Sequence, residues 1–124
     1  MASDIASNNL PNAGFAIPDI INDAHNSDLA TADNWLKGWL PPMLASDDFT
    51  SGRLVIVVTA DEDDATVGNK NKVLTVVLWA GLNGKVTNYY LTHYSLTKYY
   101  AQVLGVTPLR NGATAPDMQA AFGL

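Results

Sequence analysis

The chain has 124 residues, one domain at most, and hydrophobic types make up 48% of it, enough to bury a core. Twelve Asp and Glu against seven Lys and Arg leave a net charge of −5, which argues against nucleic acid or an anionic membrane as the main partner. Cysteine is absent, which excludes disulfides, zinc–thiolate sites and a cysteine nucleophile, and no apolar run approaches the roughly 18 residues that a membrane-spanning helix needs.

Residues 1–12 are small and polar, with Asn8, Asn9, Pro11 and Asn12, and read as a flexible lead-in to a domain over 13–124. They hold neither a basic start nor an apolar h-region, so no signal peptide is read there and the chain as written is expected in the cytosol. Phe15, Ala16 and Ile17 predict a short strand, which Pro18 stops or confines to an edge. Asn22 to Asn26 is a polar loop that holds His25, one of two histidines. Two readings stand for it: a surface or capping residue, or a functional one.

A helix follows. Asp28 or Thr31 caps it, and Leu29, Ala32, Leu36, Trp39 and Leu40 recur at helical spacing. Trp35 and Trp39 read as core packing rather than a ligand-stacking platform. Pro41-Pro42 is expected to break the helix, because proline lacks the N–H and clashes with the preceding turn. Ser46 to Gly52 reads as a turn-rich link.

The stretch Arg53 to Asp64 is the centre of the chain. Leu54, Val55, Ile56, Val57 and Val58 form an unbroken apolar run, which predicts a strand covered on both faces, as in parallel α/β sheets. Asp61, Glu62, Asp63 and Asp64 follow directly. Ligands gather beyond the carboxyl ends of strands in open α/β sheets, and hard divalent ions prefer oxygen donors. The acidic run therefore reads either as a cation site or as a solvated turn.

Ala65 to Asn71 reads as a loop, and Val73 to Trp79 as a second buried strand. Gly81 to Gly84 marks a turn, and Val86 to Leu91 either a short strand or an extended loop. Thr92 predicts a helix N-cap with His93 in the first turn, and Gly105 the residue after that helix ends. A short helix is expected from about Pro116 to Phe122. The order of helices and strands predicts an α/β layered fold. No phosphate-binding loop, dinucleotide fingerprint or nucleophile-elbow motif is present. Three polar features remain at loop ends, Asp23/His25, Asp61/Glu62 and His93, and they are expected to meet above the sheet edge.

Four segments carry a family resemblance. Pro18-Asp19-Ile20-Ile21-Asn22-Asp23-Ala24-His25-Asn26 is similar to P-N-x-x-N-D-x-H-D, and Asp33-Asn34-Trp35-Leu36 to D-x-W-L. Thr59-Ala60-Asp61-Glu62 is similar to a strand-ending T-x-D-E, and Thr92-His93-Tyr94-Ser95-Leu96 to T-H-Y-S-L. In this order they resemble the C-terminal part of the phosphoesterase family of bacterial acid phosphatases and phosphatidylinositol phosphatases, related to phospholipases C within the alkaline-phosphatase-like superfamily. The resemblance runs from Ala13 to Phe122. It implies a partial alkaline-phosphatase-like sandwich, a mostly parallel sheet flanked by helices. It also implies hydrolysis of phosphoric esters. Asp61 and Glu62 would hold a divalent metal cation. His25 would contact the phosphate or the leaving-group oxygen, and His93 would sit at or near the site.

The resemblance has two departures. Ile21 and Ser27 stand where the family often carries cysteines. The family's nucleophile lies in an N-terminal half that nothing in residues 1–17 resembles. Part of a site loses orders of magnitude in rate, so the chain is expected to be nearly inactive alone, with a phosphate ester as substrate and a second chain or self-association covering its sheet. Family members are often secreted or periplasmic. The competing readings are a non-catalytic remnant that binds a cation or phosphate, and an interaction module.

Overall fold

Side-chain caps set several of the helix starts in this chain. The structure, a computed structural model, describes residues 1–63, 68 and 70–124, and these fall into two compact units, Met1–Arg53 and Leu54–Leu124.

In the first unit, α1 (Ala2–Ala6) occupies part of the expected lead-in and buries Ile5. α2 (Leu29–Leu44) starts at Asp28, whose carboxylate accepts from the Thr31 N–H at 2.9 Å and its hydroxyl at 2.8 Å. The proline pair expected to break this helix lies inside its last turn instead. Proline removes only its own N–H, and the bonds that close the helix use carbonyls: the Ala45 N–H donates to Pro41 O at 3.0 Å. Trp35 and Trp39 stack tilted, ring centroids 6.0 Å apart, and both are half-buried, so they do not form the expected core. The expected link contains α3 (Asp47–Thr50), capped by the buried Ser46 hydroxyl, which accepts from the Phe49 N–H at 3.2 Å. Asn8 Nδ2 donates to Asp47 Oδ2 at 3.0 Å, tying the end of α1 to the start of α3. Residues 15–17 form no strand, because this unit holds no strand to pair with.

In the second unit the two apolar runs form β1 (Ile56–Thr59) and β2 (Thr75–Leu78). They pair antiparallel, with Ile56 opposite Leu78 and Thr59 opposite Thr75. A mostly parallel sheet is expected from the sequence, and this described pair is antiparallel. An apolar run reports burial and carries no sign of strand direction, and a parallel return needs a crossover, usually a helix. The connection's Gly68, Asn69 and Asn71 are poor helix formers. The Thr59 and Thr75 hydroxyls meet across the pair at 2.8 Å. Neither strand is covered on both faces as expected: no residue of either is buried. The described residues thus give a mixed helix-and-strand fold with one small antiparallel sheet.

Past β2, Val86 to Leu91 is a loop without strand pairing. α4 (His93–Val103) starts after Thr92, whose N–H donates to Ser95 Oγ at 3.2 Å. It ends in a Schellman motif: the Gly105 and Val106 N–H groups donate to Gln102 O and Ala101 O at 3.1 and 2.9 Å. Gly105 sits at φ 66°, where a side chain would strain the backbone. α5 (Asn111–Thr114) and α6 (Met118–Phe122) fold back on α4. Ser95, Ala101, Gly112, Ala115, Met118 and Ala121 are buried there. No helix among the described residues is long and apolar enough to cross a membrane.

Candidate functional site

β1 delivers its acidic residues the moment its pairing stops. Thr59 is the last paired residue, and Asp61 and Glu62 follow after Ala60 as exposed side chains in a bend. Asp61 Oδ1 accepts from the Glu62 N–H at 3.0 Å, which sets the turn between the two carboxylates. The Asp63 N–H donates to Asn71 Oδ1 at 3.0 Å. Asp64, the last of the four predicted carboxylates, lies outside the described residues.

His93 meets this turn. Its Nε2 lies 2.8 Å from the Asp61 backbone oxygen, across 32 positions of sequence. A carbonyl oxygen only accepts, so Nε2 carries the hydrogen in this bond. His93 is the first residue of α4, held by the Thr92/Ser95 cap behind it. Two of the three polar features predicted to meet therefore do, through a backbone atom rather than a carboxylate.

Asp23 and His25 belong to the first unit, where Asp19 builds their loop. Its Oδ1 accepts from the Ile21 and Asn22 N–H groups at 3.1 and 3.0 Å and from Asn22 Nδ2 at 2.8 Å. These bonds, the one from the Asn22 N–H foremost, hold the carboxyl below the usual carboxylate range. The loop closes on itself: the Asn26 N–H donates to Ile20 O at 3.1 Å, and Ser27 Oγ donates to Ile21 O. Ile21 and Ser27 are the two positions at which the resemblance places cysteines, and here a hydrogen bond joins them. Asp23 Oδ1 accepts from the His25 N–H at 2.8 Å, and Ala24 between them takes φ 71°. His25 is exposed, with Nδ1 3.0 Å from Asn26 Oδ1.

Asp19, Asn26 and Ser27 were not singled out from the sequence as site residues. Asp19 has a readable signal, an Asx residue two and three positions before the amides it accepts from. A groove of about 430 Å³ in the first unit is lined by Ile5, Trp39, Pro42 and Asp47 among others, and by none of the predicted site residues.

Asp61 and Glu62 have the hard oxygen donors that a divalent cation prefers. Among the described residues no three His, Asp or Glu side chains converge to hold a metal.

A family model described as the Phosphoesterase family matches residues 1–107. The chain is 32% identical over 97 residues to an acid phosphatase of Aspergillus fumigatus, covering 75% of this chain and 21% of that protein. It is 34% identical over 97 residues to a probable acid phosphatase of Kluyveromyces lactis, covering 75% of this chain and 23% of the other. It is 28% identical over 114 residues to a phosphatidylinositol-3-phosphatase of Mycobacterium tuberculosis, covering 92% and 37%. The chain thus spans between about a fifth and just over a third of the length of these relatives. No solved structure matches significantly.

Proposed function

Because the chain belongs to the phosphoesterase family, we propose that it contributes one part of the active site of a phosphoric ester hydrolase. The observation that carries this reading is the acid-ended strand, Thr59 to Glu62, pinned by His93 in a chain that the family model matches over most of its length. In this reading Asp61 and Glu62 donate carboxylate oxygens to a divalent cation, whose chemistry when bound is to neutralise phosphate oxygens. His25 offers an imidazole on a loop that Asp19 and Ser27 hold closed, suited to contact the phosphate or protonate a departing alkoxide oxygen. The nucleophile and the remaining metal donors come from a segment beyond these residues or from a complementing chain. The β1–β2 pair would then be one part of a larger, mostly parallel sheet flanked by helices.

A second reading has its own support. The chain spans only between about a fifth and just over a third of its relatives' length, which favours a remnant that at most binds a cation or phosphate without turnover. Hydrolysis of p-nitrophenyl phosphate and its bis-ester, with Mg, Ca, Mn and Zn, by the protein and by Asp61→Ala separates the two. With the nucleophile-bearing segment or chain supplied, the hydrolase reading expects metal-dependent turnover that falls about a hundredfold or more in the variant. Equal background rates in both select the remnant.

A further inference from the structure

Resting on the reading of Asp61 and Glu62 as carboxylates that meet a cation, we infer that His93 is a positioning residue: its Nε2–H holds the Asp61 carbonyl and so fixes the turn that aims both carboxylates. The geometry has three parts. The ring nitrogen and the carbonyl oxygen are 2.8 Å apart, well inside hydrogen-bond range. His93 stands on the first turn of α4, behind which Ser95 is buried and accepts from the Thr92 N–H, so the donor projects from a fixed base. The turn it reaches is short and exposed. Thr59 is the last laddered residue before it, and the Asp61–Glu62 and Asp63–Asn71 bonds lie within it.

A nitrogen whose hydrogen is engaged with a backbone carbonyl is not offering that hydrogen to a leaving group. This assigns His93 to support rather than to proton transfer. Outer partners of this kind typically set metal affinity by about ten- to a hundredfold.

The test uses the whole chain with Mn²⁺ alone as probe, in wild type, His93→Leu and His93→Gln. Glutamine keeps an amide donor near the place of Nε2, and leucine keeps bulk without a donor. Long-range nitrogen spectra of the wild type should show His93 protonated at Nε2. His93→Leu should shift the Asp61 and Glu62 amide resonances and weaken Mn²⁺ binding about tenfold, and His93→Gln should restore both to within about threefold. A ring protonated at Nδ1, or Leu and Gln variants that both match wild type, overturns the inference. If the wild type binds no Mn²⁺, the metal reading falls by itself. The ring tautomer and the rescue of the Asp61 and Glu62 resonances by glutamine then decide the positioning role without any metal. If His93→Leu fails to fold, the wild-type tautomer and His93→Gln make the same decision.

Discussion

Asp19 shows how one residue can order the loop that carries a candidate catalytic group. Its carboxylate gathers two backbone amides and a side-chain amide, and His25 sits six positions on in the loop this closes. The lowered carboxyl pKa fixes the sign of the pH dependence. A group whose folded pKa is depressed contributes its order fully above its unfolded pKa and loses it as pH falls through the folded value. The Ile21 and Asn22 amide resonances should therefore move together as the solution is acidified below the ordinary carboxylate range. Asp19→Asn keeps an Oδ1 acceptor and should hold the loop with that titration gone, whereas Asp19→Ala should raise amide exchange at both positions even at neutral pH. An unchanged titration in Asp19→Asn would show that another carboxyl moves these amides. The similar family motif carries asparagine at this position, which fits a role for the acceptor oxygen rather than the charge.

Among the elements, the junction of α4 with α6 shows how short helices are kept. Asp117 caps α6 by accepting from the Ala120 N–H at 3.0 Å, and the same side chain accepts from Gln102 Nε2 at 2.7 Å. Lys98 donates to Ala115 O at 3.0 Å, and its ammonium lies 3.8 Å from the Asp117 carboxylate. The Ala120 amide first, then Gln102, hold the Asp117 carboxyl below the usual range. Gln102 Oε1 is buried without a partner among the described residues, so losing Asp117 would leave that whole amide unsatisfied. Asp117→Ala should cost about 1–2 kcal/mol in urea unfolding of the full chain, and Asp117→Asn less than half as much. The difference between wild type and Asp117→Asn should shrink as pH falls through the lowered pKa, since the charge that distinguishes them is then protonated away. Equal midpoints for all three proteins would place the stability of this unit elsewhere.

The helix ends show what is legible in sequence. Thr92, Asp28 and Gly105 announce helix ends because a cap needs one residue type at one place, and each stands where its pattern predicts. The strand ending in Asp61 and Glu62 is legible for the same local reason. The direction of β2 is not, because apolar runs encode burial alone. Nor is the bond from His93 to Asp61, which joins residues 32 apart through a backbone oxygen that no side-chain pattern marks.

At the scale of the whole molecule the question is what covers the apolar surface. The apolar side chains buried among the described residues are Ile5, Ala101, Ala115, Met118 and Ala121, three of them alanines. Leu74 is 81% exposed, Val86 88% and Leu109 77%, with Tyr89, Tyr90 and Val106 also exposed. A two-stranded antiparallel pair is marginal in water by itself, and unpaired strand edges template further pairing. Burying apolar area contributes about 25 cal/mol per Å², so side chains such as Leu74 and Val76 beside and within β2 favour association. Sedimentation velocity over a concentration series should show species heavier than a monomer, increasing with concentration. Leu74→Lys with Val76→Lys should shift the distribution toward monomer, because a lysine on an exposed strand opposes edge pairing and adds charge where the chain is apolar. A monodisperse monomer across the series, in wild type and variant alike, would mean that this surface is tolerated in water and that neither a second copy nor a complementing chain is needed to cover it.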